Sequence, residues 1–233
     1  MPGTVYLIPT FLHADAPETI PAYVLPAIKE CKVFFVENER SARRYLKSIW
    51  REMVIDDYQW FAIHKAEEQV QLQFIKLLNE GKNIAIISEA GCPGIADPGQ
   101  ILVQAAQQAN ATVKPFVGPS SILLALMASG LNGQHFQFHG YLPIDNMARK
   151  NKIKELEAES AIKKCTQLFI ETPFRNNQLI QEILQSCKGS TLFCIATDIT
   201  APAEIIKTKS ITQWKTNMPD YHKRLCIYLI QAL

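Results

Sequence analysis

The stretch Ser88-Glu89-Ala90-Gly91-Cys92-Pro93-Gly94-Ile95-Ala96-Asp97-Pro98-Gly99 is the part of the chain best suited to hold a ligand. Three glycines and two prolines among its twelve residues exclude ordinary helix or strand interior. Glycine admits positive φ and a close backbone approach, and proline fixes the bend. The apolar run Ile84–Ile87 before it reads as a buried strand, and Ile101–Ala106 after it opens a helix. A bare-backboned loop at the carboxyl end of a parallel strand is where open α/β sheets bind ligands. A second turn of this kind, Gly118-Pro119-Ser120-Ser121, follows the strand-like Thr112–Phe116 and starts a helix. A hydroxyl there can cap the helix or contact a ligand. The residues alone leave two readings of each turn, a ligand site or plain turn chemistry.

A third constellation is basic. Arg40, Arg43, Arg44, Lys47 and Arg51 recur at i, i+3, i+4, i+7 and i+11, one face of a helix that reaches that far. Such a face is either a solvated surface or a contact for a phosphate backbone. Other chemistries lack their signatures. There is no G-x-G-x-x-G after the first strand, no G-x-x-x-x-G-K-[ST], no G-x-S-x-G and no H-E-x-x-H. The five histidines, His13, His64, His135, His139 and His222, are scattered, and His135 and His139 share a strand face with no third ligand evident, so no metal site is expected.

The elements that must position these residues alternate along the chain. Strands are expected at Thr4–Ile8, Val33–Val36, Ile84–Ile87 and Thr112–Phe116, with helices through Leu46, over Glu67–Glu80 and over Ile101–Gln108. Pro17, Pro21 and Pro26 keep any helix before Cys31 short or kinked. This alternation predicts a parallel α/β N-terminal domain over 1–117, with Gly118-Pro119 as the hinge to a domain over 118–233. The second half alternates less regularly. Strands are expected at Phe136–Tyr141, Gln167–Ile170, Thr191–Ala196, Glu204–Lys207 and Arg224–Leu229, helices at Ile122–Ser129, Met147–Ala161 and Asn177–Ser186. The closely spaced final strands point to antiparallel pairing and a mixed sheet.

Composition sets the frame. The 233 residues are 48% hydrophobic and 20% charged, enough for a sizeable core. The formal net charge of +2 confines any nucleic-acid surface to a local patch. The six cysteines form no C-x-x-C pair and no targeting segment precedes the first strand, so free thiols in a cytoplasmic protein are expected. No apolar run approaches a membrane span.

Five strings, in order along nearly the whole chain, resemble motifs of one known family. Ser88–Gly99 is similar to "SDAGTPxISDPG". Val36-Glu37-Asn38-Glu39-Arg40 with Arg43-Arg44 is similar to "AEDTRxxxxLL", and Gly118–Ser121 to "PGPSA". Phe138-His139-Gly140-Tyr141-Leu142-Pro143 is similar to "FxGFLP", and Phe169-Ile170-Glu171-Thr172-Pro173-Phe174-Arg175 to "FYESPHR". These are motifs of the tetrapyrrole methylases, the class III S-adenosylmethionine (SAM) methyltransferases, nearest to the branch that methylates the 2′ oxygen of a cytidine ribose in small-subunit ribosomal RNA. The chain departs from that branch at several points. Its first strand continues Pro9-Thr10-Phe11-Leu12-His13 with no glycine, against "ATPIGNLGD". Cys92 stands for threonine, Asn38 for aspartate and Phe174 for histidine, and the chain stops where the branch usually continues into a small C-terminal region.

The resemblance implies the tetrapyrrole methylase fold, two α/β domains with a cofactor cleft between them, in a homodimer. It implies SAM contacts at Ala90, Gly91, Cys92, Ile95, Ser120 and Ser121, and further ones at Phe11, Glu171 and the Ile199-Thr200 segment. Arg40, Arg43, Arg44 and Lys47 would then meet an RNA acceptor. A tetrapyrrole-like or other small acceptor is the alternative within the same chemistry. A SAM- or RNA-binding module that has lost catalysis is the alternative outside it. Methyl transfer from a sulfonium is an in-line displacement needing alignment and a dry pocket. A ribose hydroxyl also profits from a general base. Glu37, Glu89 and Asp97 are the candidates, each read more readily as a helix cap or structural ion pair, so no catalytic base is assigned.

Overall fold

A computed structural model describes residues 2–63 and 67–232, the side chains of Glu67 and Glu68 excepted. His64 lies outside the described residues. The chain divides into two compact units, residues 1–120 and 121–233.

Unit 1 runs β1 (Thr4–Ile8), α1 (Val24–Lys29), β2 (Val33–Val36), α2 (Glu39–Ile49), β3 (Gln59–Ala62), α3 (Glu67–Asn79), β4 (Ile84–Ile87), α4 (Gln100–Gln108) and β5 (Thr112–Pro115). The strands form one parallel sheet in the order β3-β2-β4-β1-β5. Both faces are covered, which is why β2 and β4 are apolar throughout rather than alternating. Tyr6, Ile8, Phe34, Val36, Ala85 and Ile87 pack with Val24 and Ile28 of α1 and Tyr45 and Leu46 of α2. Val5, Val33, Phe35, Ile84 and Ile86 point the other way, onto Phe74 and Leu78 of α3 and Leu102 and Ala106 of α4. The chain leaving β1 therefore crosses one face and the chain leaving its neighbour β4 crosses the other. That divergence is the topological switch point of an open α/β sheet.

Local chemistry sets the ends of these elements. Asn38 caps α2, its side-chain oxygen accepting from the amides of Arg40 at 2.9 Å and Ser41 at 3.2 Å. Asparagine and aspartate are about equally good caps, so Asn38 keeps the cap that an aspartate would supply. The helix ends at Ile49, so Arg51 falls outside the basic face.

Unit 2 runs α5 (Ser121–Ser129), β6 (Phe136–Tyr141), α6 (Asn146–Lys163), β7 (Thr166–Ile170), α7 (Asn176–Ser186), β8 (Leu192–Thr197), β9 (Ile205–Ser210), α8 (Ile211–Thr216) and β10 (Cys226–Gln231). Its sheet is mixed, in the order β6-β7-β10-β8-β9. β6 and β7 are parallel, whereas β10 is antiparallel to both neighbours and β9 to β8. The carboxyl ends of β6, β7 and β8 and the amino end of β10 consequently share one edge. Phe169, Phe193, Ile195, Tyr228 and Ile230 pack beneath α6, α7 and α8, and α5 packs on β8, β9 and β10.

A buried ion pair ties α6 to α7. Arg149, 1% exposed, reaches Glu182 through Nε at 2.6 Å and Nη2 at 2.7 Å. Its other donors meet the carbonyls of Pro143 and Ile144 and the side chain of Asn146. All its donor directions are used, the condition under which a charge survives burial. The Arg149 guanidinium holds the Glu182 carboxyl below its ordinary range.

All six cysteines are free thiols. No helix among the described residues is long and apolar enough to cross a membrane.

Candidate functional site

The carboxyl ends of the unit 1 strands converge on the glycine-proline loop. Thr10, just past β1, exchanges two backbone bonds with Gly91: the Thr10 amide donates to the Gly91 carbonyl at 2.9 Å, and the Gly91 amide returns one to Thr10 at 3.1 Å. Gly91 has φ +76°, and a β-carbon there would sit 3.1 Å from the Pro119 carbonyl oxygen and 3.3 Å from Leu12 Cδ2. Its conformation favours glycine, and a β-carbon would press on the Pro119 carbonyl. The next residue, Cys92, directs its sulfur to the carbonyls of Gly118 at 3.6 Å and Pro119 at 3.5 Å. Burial raises its thiol pKa. The loops after β1, β4 and β5 thus form one wall, with Ala90, Gly91, Cys92 and Ser120 in it. Phe11 packs edge-on against Tyr45, ring centres 5.2 Å apart, and the Tyr45 hydroxyl donates to the Pro9 carbonyl at 2.6 Å. Ile95 stands out from the loop, 57% exposed.

Each of the three acids has a structural engagement. Asp97 accepts from the Gly94 amide at 2.9 Å and the Gly99 amide at 2.7 Å, clasping the loop ahead of α4. Burial raises its pKa, those two amides oppose the rise, and the charge of Glu37 adds to it. Glu37 accepts from the Glu89 amide at 2.9 Å, and Glu89 accepts from the Ser41 hydroxyl at 2.9 Å. These contacts bind the loop to the start of α2.

The basic face of α2 is partly committed. Arg43 pairs with Glu39 at 2.8 Å and lies over the Trp60 ring at 5.1 Å. Lys47 donates to the carbonyls of Arg51 and Met53, tying down the chain beyond α2. Arg40 and Arg44 are exposed, and neither forms an ion pair among the described residues.

The remaining residues expected at the cofactor lie in unit 2. Ser121 opens α5. Glu171 follows β7 with its side chain fully buried. One oxygen, Oε1, accepts from the Thr172 amide at 2.6 Å and Arg175 Nε at 3.0 Å. The other, Oε2, is buried with no hydrogen-bond partner, and so is Thr200 Oγ1. Thr200 has φ +71°, a left-handed conformation costly for a β-branched residue. Orphaned buried polar atoms and a strained backbone are features expected where a ligand binds. Both residues follow strands, β7 and β8, that flank β10 and end at the same sheet edge.

His139 Nε2 pairs with Gln167 Oε1, and His135 Nδ1 lies 3.0 Å from the Lys163 carbonyl. Among the described residues no three His, Cys, Asp or Glu side chains are grouped to hold a metal ion.

The model of the family described as Tetrapyrrole (Corrin/Porphyrin) Methylases matches residues 14–214. The chain belongs to the tetrapyrrole methylase family. A relative from Vibrio cholerae, named ribosomal RNA small subunit methyltransferase I, is 38% identical over 149 residues, covering 63% of this chain and 50% of its own. A protein of the same name from Buchnera aphidicola is 28% identical and covers 99% of this chain and 79% of its own. The chain spans about half the length of the Vibrio cholerae and Escherichia coli relatives it matches. Among solved structures, diphthine synthase superposes with a TM-score of 0.70 at 13% identity, covering 98% of this chain and 89% of that one. The methyltransferase CobJ gives 0.62 at 15%, covering 98% and 93%. These two show the tetrapyrrole methylase fold in this chain.

Proposed function

We propose that this tetrapyrrole methylase is a SAM-dependent methyltransferase whose acceptor is ribosomal RNA, at a ribose 2′ oxygen. The observation that carries the reading is the wall at the unit 1 switch point. Its shape is set by main-chain bonds between Thr10 and Gly91 and by a glycine no other residue can replace without strain. The names of the relatives support RNA as acceptor.

The residues fit the cofactor. In unit 1, Phe11, Ser120, Ile95 and the backbone of Ala90–Cys92 would hold it. The family resemblance implies further contacts at Ser121, Glu171 and Thr200; taken within unit 2 alone, Glu171 Oε2 is open to an amine or hydroxyl and Thr200 Oγ1 to a donor or acceptor. SAM supplies an electrophilic methyl on a sulfonium. The chain's own task is to align that group and exclude water, worth several kcal/mol of barrier when the geometry is near-attack. Glu37, Glu89 and Asp97 are occupied in holding the loop, which favours positioning over base catalysis by any of them. By family resemblance the enzyme works as a cytoplasmic homodimer, which sedimentation of the purified protein tests.

Calorimetry with SAM and with its demethylated product, followed by transfer of labelled methyl to small-subunit ribosomal RNA, tests the reading. Labelled RNA that resists alkaline cleavage at one nucleotide is the expected result. No heat with either ligand overturns the methyltransferase. Heat without transfer to RNA moves the acceptor to a small molecule or the chain to a binding module.

A further inference from the structure

The unit 2 sheet edge that carries Glu171 and Thr200 also carries an exposed aromatic that packing does not explain. Phe174 is 70% exposed. Burial of such a ring is normally worth about 1.5–3 kcal/mol, a gain that folding forgoes here. Tyr141, ending β6, and Leu225, preceding β10, are exposed at the same edge, by 61% and 58%.

The surroundings of Phe174 are built. Lys223 places its ammonium over the ring at 5.9 Å, and the His222 ring stands edge-on at 6.1 Å. Lys223 holds a left-handed φ of +63°, and its backbone N–H donates a hydrogen bond to the Pro173 carbonyl at 3.0 Å. The loop bearing both residues is pinned from beneath. Asn176, wholly buried, donates to the carbonyls of Tyr221 and Arg224, each at 2.8 Å. Asn177 donates to Asp220 at 2.6 Å and accepts from the Tyr221 amide at 3.0 Å. Asp220 in turn accepts from the His222 amide at 2.9 Å. A pinned, strained loop thus holds one cation beside the exposed ring of Phe174, which stands on the turn Pro173–Arg175. The two arginines nearby are otherwise engaged, Arg175 with Glu171 and Arg224 with Asp198.

We propose that Phe174 and Lys223 form a stacking platform for a nucleobase of single-stranded RNA, the ring taking the base and the ammonium its phosphate. The platform rests on the reading of the acceptor as RNA. A flat exposed ring beside a cation is the arrangement by which proteins bind single strands, stacking being sequence-tolerant because every base has a π-face. The ammonium lies at the outer limit of cation–π range, about 6 Å, so moving it to a phosphate forfeits little.

Fluorescence anisotropy with three probes tests it: small-subunit ribosomal RNA, a short oligoadenylate, and an abasic strand of equal length. Wild type is expected to prefer oligoadenylate to the abasic strand. Phe174→Ala should weaken oligoadenylate binding about tenfold and erase that preference, Phe174→Trp should keep it, and the thermal midpoint of both should match wild type. Lys223→Ala should lower the salt slope by about one for both strands. Ribosomal RNA binding with no preference for bases, or with Phe174→Ala unchanged, overturns the platform and leaves the RNA reading standing. Failure of wild type to bind any of the three overturns both.

Discussion

Gly118 lies so close to Pro9 that a β-carbon on residue 118 would fall 2.1 Å from the proline Cβ and 2.7 Å from its Cγ. The pyrrolidine ring cannot turn away, because its torsions are fixed. Gly118→Ala must therefore push the loops after β1 and β5 apart. The expected loss in urea denaturation is about 1–3 kcal/mol, with SAM affinity lost alongside. Gly91→Ala should cost about 1–2 kcal/mol through its left-handed backbone.

The Arg149–Glu182 pair separates burial from charge. Arg149→Met leaves a carboxylate buried without its partner and should destabilise by about 3–5 kcal/mol. Adding Glu182→Leu should recover most of that, because removing both charges removes the desolvation cost. A double-mutant cycle in urea measures this; two losses that simply add would show the groups to be uncoupled.

Cys92 offers a reporter at the wall. Cys31, Cys165, Cys187 and Cys194 are buried, whereas Cys92 and Cys226 are partly accessible. Maleimide labelling of the native protein, read by mass spectrometry, should therefore reach Cys92 and Cys226 and spare the other four. SAM should slow labelling of Cys92 alone. Equal labelling with and without SAM would remove Cys92 from the proposed cofactor contacts.

Stability should fall on both sides of neutrality. Glu182 is held below 4.5 by its bonds to Arg149, so its contribution is present above that pH and lost as pH falls through the lower folded value. Burial pushes the thiols of Cys31 and Cys187 up from 9.0 to about 12 and that of Cys194 to about 11. Their contribution is complete below pH 9 and is lost as pH rises toward those values. Denaturation midpoints across pH should show both slopes, and Cys194→Ala should make the alkaline one shallower by up to about one proton.

On α2 the exposed pair should carry any RNA contact. Reversing charge at Arg40 and Arg44 should reduce the salt slope of ribosomal RNA binding by about two or more. Lys47→Met should instead lower thermal stability, since its ammonium closes the chain beyond the helix. An unchanged slope would make the face solvated surface.

Much of this was legible in the residues. Uniformly apolar runs such as Val33–Val36 and Ile84–Ile87 announce strands buried on both faces, and Gly81 and Gly130 mark helix ends. β3 escaped because Gln59-Trp60-Phe61-Ala62 is a short edge strand only half covered. α8 escaped because it has six residues, although Ser210 and Gln213 form a capping box three positions apart, a signal the sequence does contain. In the site, the glycine-proline loop was evident, but its partner Thr10 was not, since a lone backbone bridge leaves no trace in side-chain type. Arg149 falls within the expected helix Met147–Ala161 with no local signal of its burial, and only the tertiary position of Glu182 sets it apart.

The Thr10–Gly91 bridge carries a consequence for sequence drift. Its bonds run between main-chain atoms, so substitutions at residue 10 that keep an extended backbone leave it intact. The same holds for Cys92, whose thiol adds only a weak donor to a loop already clasped by Asp97. Gly91 and Gly118 have no such latitude. A lineage can therefore rewrite the lettering of this wall while its outline stays where two missing β-carbons put it.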